Sequence, residues 1–274
     1  MGAIQVGYAS SSEDTNRGRS PGLWKGSHYE EIMAGNNQEG LHWGDDFTEP
    51  MITGQRYTLL EADSNAAWAS LTTVGDGRQT LTLSTSDNEE GNVIYGDGEY
   101  VIGDITANSG VETYFEARWK VSSVVDDVVA VYVGLAEAGM AGANMQTDDS
   151  GVLSAKDYLM HRTLHVDSGT AGTNAVLGVA YNTNSGTEVE SVTTADTLVA
   201  DTFVKTGFVH DGKTTIKSFV NGLANATTIA PTDTTFPDGE ELTFAAGAKL
   251  GDTTGAIFTL DWWHVVRRKI WSNT

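Results

Sequence analysis

The run Phe115-Glu116-Ala117-Arg118-Trp119-Lys120-Val121 alternates apolar and charged residues without a break. Successive side chains of an extended chain point to opposite faces, so this period of two is the signature of a half-buried β-strand. Val129, Val131, Val133 and Leu135 repeat it. Near the C-terminus Phe258, Leu260, Trp262 and Val266 fall on one face, with Asp261 and Trp263 on the other. Trp119 and Trp262 are therefore expected in the core, and Trp263 at an edge or on the exterior. Helical periodicity is scarce; Ser27 to Met33 could make one turn. Glycine is abundant (31) and proline scarce (4), which suits sheets joined by tight turns. Asp76-Gly77, Asp97-Gly98, Asp211-Gly212, Asn221-Gly222 and Asp238-Gly239 supply residues that tolerate positive φ, as hairpin turns require. The clearest hairpin runs from Phe203 to Val209, turns over His210 to Lys213, and returns from Thr214 to Val220. About a dozen strands spaced in this way between residues 47 and 268 predict a single all-β sandwich or barrel.

The first 45 residues read differently. Asn16 to Gly22 and Gly35 to Gly40 are loop sequences, and apolar residues occur singly. Such a segment cannot build its own core. The expected organisation is an extended N-terminal arm over residues 1–45, a sandwich over 46–268, and a short basic and aromatic tail over 269–274. Trp24, Tyr29 and Trp43 are too many aromatics for a solvated tail, which points to an arm that docks on a neighbour.

Charge narrows the partners. Sixteen basic residues face 37 acidic ones, a net charge of -21. Such a surface repels phosphate backbones, which argues against nucleic acid as a partner. Anionic membranes are disfavoured on the same ground, and no apolar run approaches the ~20 residues that a spanning helix needs. There is no cysteine, so no thiolate or disulfide chemistry. The first twenty residues are polar and lack the apolar stretch of a secretory signal.

From Trp43 onward the order of motifs resembles the concanavalin A-like lectin/glucanase (LamG-like) jelly-roll superfamily. The series is Trp43-Gly44-Asp45-Asp46-Phe47, then Arg78 to Glu89 with its Ser-Asp-Asn turn, then Tyr114 to Val121 and Val133-Gly134-Leu135-Ala136-Glu137. Ser218-Phe219-Val220-Asn221-Gly222 and Leu260 to Val266 complete it. The resemblance implies a jelly-roll β-sandwich of two antiparallel sheets. Function does not follow from fold. The superfamily includes lectins, glucanases, adhesion modules and virion proteins of tailed phages. A chain with an N-terminal arm, no signal peptide and no cysteine looks most like the last group. The expectation is a capsid decoration protein on the virion surface, bound to the major capsid protein or to copies of itself. The alternative is a lectin-like module of a tail or fibre that binds a host surface glycan through exposed aromatics plus Asn, Asp and Arg on a concave sheet face.

Catalytic and metal chemistry find little support in the residues. The glucanases that this chain resembles carry an E-x-D-x-x-E strand. Glu112 to Glu116 lacks the middle Asp, and Glu188-Val189-Glu190 lacks the third acid. Neither the catalytic serine turn G-x-S-x-G nor the phosphate loop G-x-x-x-x-G-K-[ST] is present. A structural Ca²⁺ would need converging oxygens; Asp45-Asp46, Asp97-Gly98-Glu99, Asp126-Asp127 and Asp148-Asp149 are the candidates, and none matches a known calcium loop. No cofactor is expected. His161 and His165 form the one close histidine pairing, too few ligands for zinc, and surface or hairpin positions are the default for the six histidines. The candidate assembly interface is accordingly Arg17, Arg19, Trp24, Tyr29 and Trp43 in the arm, with Arg267, Arg268 and Trp271 at the basic C-terminal end.

Overall fold

The computed structural model describes residues 18–25, 27, 29, 32, 40–49, 51, 56–61, 66–70, 77–84, 86–96, 105–125, 128–140, 145–146, 152–163, 176–184 and 186–269. Fifteen strands are named in chain order. They are β1 Gly40–Asp45, β2 Tyr57–Glu61, β3 Ala67–Ser70, β4 Gln79–Leu83, β5 Glu90–Tyr95, β6 Val111–Val121, β7 Val129–Ala136 and β8 Tyr158–Thr163. Then follow β9 Val176–Asn182, β10 Val189–Thr197, β11 Val204–His210, β12 Ile216–Val220, β13 Leu223–Ile229, β14 Thr243–Leu250 and β15 Ala256–Lys269. A short helix, α1, spans Pro21–Trp24. The strands form two antiparallel sheets. An eight-stranded sheet has the order β13-β12-β11-β6-β15-β4-β3, with β1 added alongside β15. A seven-stranded sheet has the order β10-β9-β8-β7-β14-β5-β2.

Alternation places the core between the sheets. From β6 it takes Phe115, Ala117, Trp119 and Val121; from β7 it takes Val129, Val131, Val133 and Leu135. The hairpin expected around Asp211-Gly212 forms, with Thr206 opposite Val220 and His210 opposite Ile216. At Asn221-Gly222 the β12–β13 hairpin turns with φ of 50° and 80°, the left-handed pair that a two-residue turn demands.

The C-terminal strand corrects the reading of the tryptophan pair. A bulge between Leu260 and Trp262 sets two residues against one on β6. An extra residue flips every later side chain to the opposite face. Trp263, not Trp262, therefore enters the core, where it stacks on Phe244 at 4.7 Å between ring centroids. Trp262 is buried on the outer face of the eight-stranded sheet, beside His264.

The described part of the N-terminal segment also differs from the expected free arm. Residues 40–45 are strand β1 of the eight-stranded sheet. Upstream, Leu23, Trp24, Tyr29 and Ile32 pack with Tyr114, Phe219 and Val266 into a second small core on that sheet's outer face. Tyr29 and Ile32 are helical, in the stretch where one turn was expected. Glu116 is the anchor. Although its position in the alternation predicts solvent, it is 1% exposed, and its Oε2 accepts the Ser20 amide at 3.0 Å and the Trp24 indole N–H at 2.6 Å. Lys205 Nζ donates to the Gly18 carbonyl at 3.0 Å. Glu116→Leu should remove two charge-assisted hydrogen bonds and lower stability by about 2–4 kcal/mol. It should also red-shift tryptophan emission and open Arg19 and Lys25 to trypsin. Unchanged emission and cleavage would show that the strap holds without it.

Candidate functional site: the outer face of the seven-stranded sheet

Residues that alternate away from the core on β5, β14, β7, β8 and β9 form a polar surface on the seven-stranded sheet. Cross-strand register sets Asn92 beside Gly247, Gly247 beside Tyr132, Tyr132 beside Arg162 and Arg162 beside Gly178. The next row runs through Ile94, Ala245, Gly134, Met160, Ala180 and Glu190. Glycine is required at 247, because a Cβ there would lie 2.5 Å from the Tyr132 hydroxyl, which crosses toward Asn92 and Glu90.

Two polar groups are built on this face. At one side, Glu90 Oε1 accepts the Met145 amide at 2.9 Å and the Gln146 amide at 3.3 Å. Lys249, its cross-strand neighbour, donates to the Gln146 carbonyl at 2.9 Å. Burial raises the Glu90 carboxyl above the usual carboxylate range, with Lys249 and the two amides pulling the other way. At the other side, Glu188 accepts the Tyr158 hydroxyl at 2.7 Å and pairs with Arg162, which also lies 3.7 Å from Glu190. Burial and the Glu188 charge hold the Tyr158 phenol well above its ordinary range.

This surface is covered. Met140, Met145 and Leu153 pack with Tyr132, Tyr158 and Met160 into a third cluster over the sheet. Leu153 donates its amide to Glu188 at 3.4 Å, so the covering segment is tied to both polar groups. Three inter-strand steps of about 4.8 Å separate β5 from β8, roughly 14 Å across the sheet, and the register offsets Glu90 further along the strands from the Tyr158 and Arg162 that hold Glu188. A hydrolytic acid pair needs about 5–5.5 Å or about 6.5–9.5 Å. The arrangement does not set two free acids across a bond. Among the described residues no group of three or more His, Cys, Asp or Glu side chains converges as metal ligands.

No protein-family model matches the chain, and no curated protein sequence matches it. Solved structures do. Peanut lectin is 15% identical over 84% of this chain and 97% of its own, with a TM-score of 0.53. A β-glucanase of Bacillus licheniformis is 14% identical over 83% and 99%, with a TM-score of 0.52. A protein of unknown function from Shewanella oneidensis MR-1 is 13% identical over 93% and 99%, with a TM-score of 0.54. The fold is the concanavalin A-like jelly roll.

Within this jelly roll the expected interface residues do not assemble into one exposed surface. Arg17 and Trp271 lie outside the described residues. Trp24 and Tyr29 are 8% and 7% exposed and packed against their own sheet. The Arg19 guanidinium sits 3.4 Å above the Tyr29 ring. Trp43, opposite Val265 on β1, packs against the main core. Arg267 and Arg268 lie on β15, within the expected span of the sandwich, and Arg268 is bound by Glu112, its Nε at 3.0 Å. A single chain accommodates the described ones because β1 adds to the sheet beside β15, and Leu23, Trp24, Tyr29 and Ile32 pack on that sheet's outer face.

The other candidates are placed as follows. Glu112 and Glu116 share the outer face of the eight-stranded sheet and are both consumed there, by Arg268 and by the strap. Asp45 accepts the Tyr57 hydroxyl at 2.9 Å and the Phe47 amide at 2.7 Å, and Asp46 faces His264 at 3.2 Å. The other acidic pairs, Asp97-Gly98-Glu99, Asp126-Asp127 and Asp148-Asp149, lie outside the described residues, as does His165. His161, His210 and His264 are buried; His210 does stand at the expected hairpin, whereas His161 and His264 are at neither the surface nor the hairpin positions expected. Sequence reasoning missed Glu90, Arg162 and Tyr158. The available signal was a charged residue at the head of the apolar run Gly91 to Tyr95.

Proposed function

We propose that this jelly roll is a non-catalytic contact protein, a capsid-decorating component of a tailed-phage virion that meets the major capsid protein or sister copies. The observation behind the non-catalytic part is that Glu90 Oε1 and the Glu188 carboxylate each accept internal donors beneath Met140, Met145 and Leu153, at places too far apart across the sheet to face each other across one bond. A general acid must reach the leaving group directly, and these two carboxyls are buried beneath that cover. The virion part rests on the resemblance of a cysteine-free chain with a long N-terminal segment to the phage members of the superfamily, and on the net charge of -21, which limits clumping of particles that display many copies. Trp24 and Tyr29 are spent within the chain, so contact with a neighbour falls to other surfaces. Two assays test this reading. Release of reducing ends from β-glucans should be nil, for the parent and for Glu90→Gln and Glu188→Gln alike; turnover abolished by either substitution would overturn it. Particles purified from a phage that encodes the chain should carry it in many ordered copies, and its absence from them would sink the virion role.

A glycan-binding reading is favoured by one observation: Asn92, Tyr132, Arg162 and Asn182 share the outer face of the seven-stranded sheet, and two of the similar structures are named as a lectin and a glucanase. Binding on a glycan array that is lost in Arg162→Ala would support it, and an array without hits at millimolar affinity would dismiss it.

A further inference from the structure

On β1, Trp43 packs against the main core, so its neighbours His42 and Gly44 alternate to the outer face of the eight-stranded sheet. The β1–β15 register places Gly44 opposite His264 and His42 opposite Val266. The β15 bulge turns His264 to the same outer face, beside Trp262. Two histidines that lie 222 residues apart in the chain therefore meet, with His42 Nε2 at 3.2 Å from His264 Nδ1.

The surroundings prepare these two nitrogens for a shared ligand. Asp46 Oδ1 lies 3.2 Å from His264 Nε2, on the far side of that ring. A carboxylate there accepts the Nε2 proton as a hydrogen bond, which leaves Nδ1 of the neutral ring with a lone pair aimed at His42. Burial, and then the nearby His264, lower the His42 pKa to about 4, so its ring is neutral at pH 7 and can offer Nε2 with the proton on Nδ1. Gly44 keeps the space beside both nitrogens open: a Cβ there would strike His264 Nδ1 and lie 3.0 Å from His42 Nε2. Tyr29 meets both rings edge-on, at 5.0 Å from His42 and 5.7 Å from His264 between ring centroids. His42 is half-buried and the Asp46 side chain is 54% exposed, so the pair lies next to solvent.

Distance selects the ligand. Two imidazole nitrogens that each bind one Zn²⁺ at about 2.0–2.1 Å stand about 3.3 Å apart in a tetrahedral shell, close to the spacing seen here. Hard ions such as Ca²⁺ and Mg²⁺ prefer oxygen ligands. Arg19, over the Tyr29 ring, opposes added positive charge at His42, and Asp46 favours it. We propose that His42 Nε2 and His264 Nδ1 bind one late first-row divalent cation of the Zn²⁺ type over Gly44, with water completing its shell and Asp46 as the positioning residue. Because His42 belongs to β1 and His264 to β15, the ion clips β1 to the sheet beside the packed Tyr29.

Zn²⁺ itself is the probe, added to the full chain in 0.15 M salt, where attraction to surface carboxylates is screened. Equilibrium dialysis should show one equivalent bound by the parent, with affinity lower by at least about tenfold in His42→Gln and in His264→Gln. Asp46→Asn should weaken binding by about 10- to 100-fold, and Gly44→Ala should block the site with both histidines in place. Imidazole ¹⁵N spectra of the parent need no substitution: Zn²⁺ should move the His264 Nδ1 and His42 Nε2 resonances and leave His161 and His210 in place. Without metal, the same spectra should show that Asp46→Asn loses the preference of His264 for a proton on Nε2. Should a histidine variant fail to fold, the parent spectra decide alone. Equal Zn²⁺ affinity in the parent and both folded histidine variants, or metal shifts at fewer than both rings, overturns the proposal.

Discussion

Replacing Asp261 by leucine is expected to cost about 3–5 kcal/mol of stability, read as a lowered denaturant midpoint with an unchanged slope. Asp261 sits at the β15 bulge and is 0% exposed. It is bound by the Arg118 guanidinium, and Arg78 Nε lies 3.4 Å from its other oxygen. Arg118 lies over the Phe203 ring at 3.8 Å, and Arg78 lies over it at 4.8 Å. Two buried cations thus share one buried carboxylate, and taking that carboxylate away leaves both in a low-dielectric setting without their counter-charge. The double variant Arg118→Met/Asp261→Leu should recover part of the loss, since removing both partners spares the desolvation penalty. A loss below about 1 kcal/mol in the single variant would mean that water or a rearranged side chain replaces the carboxylate.

The second large effect is acid lability through His161. Its ring lies inside the sandwich, stacked on Phe208 at 4.4 Å, and neither ring nitrogen has a hydrogen-bond partner. Burial alone lowers its pKa to about 3 from the ordinary 6.5. The unfolded chain therefore binds a proton that the folded chain refuses, and stability falls as the pH drops below about 6.5, levelling only near 3. One such group gives a slope of about 1.4 kcal/mol per pH unit. His161→Leu should remove that slope, so its advantage over the parent should widen by about 2–3 kcal/mol between pH 7 and pH 4.5. His42, lowered to about 4 mainly by burial and then by His264, adds in the same direction. Glu90 opposes them: its raised carboxyl lets the folded state take up a proton first, so its contribution is present in acid and lost as the pH rises. A constant parent-to-variant difference across this range would rule out a neutral buried His161.

These two sites also mark where sequence reading succeeded and where it stopped. The apolar rows of β6 and β7 were legible because alternation is a local property, set by the pleat of one strand. The Asp211-Gly212 and Asn221-Gly222 hairpins were legible because positive φ favours particular residues at particular turn positions. His161 was not legible as a core residue. It follows Met160 in β8, and nothing local says that the even side of that strand is roofed by Met140, Met145 and Leu153 while the odd side meets Phe208. Glu116 and Arg118 misled for a related reason. Their alternation gave the correct face of the strand, but whether that face meets water depends on the strap and on Phe203, which lie 92 and 85 residues away in the chain.

The amino-acid order alone determined the all-β class, the main strand rows, the tight turns and the strongly negative surface, because each arises from residues close in the chain or from a plain sum of charges. Tertiary structure decided which tryptophan of the 262–263 pair fills the core, which carboxylates accept internal donors, and that Trp24 and Tyr29 lie on their own sheet. Those outcomes hinge on a single-residue bulge and on contacts between segments far apart in sequence, where small differences in packing and desolvation choose among arrangements that the local pattern permits equally.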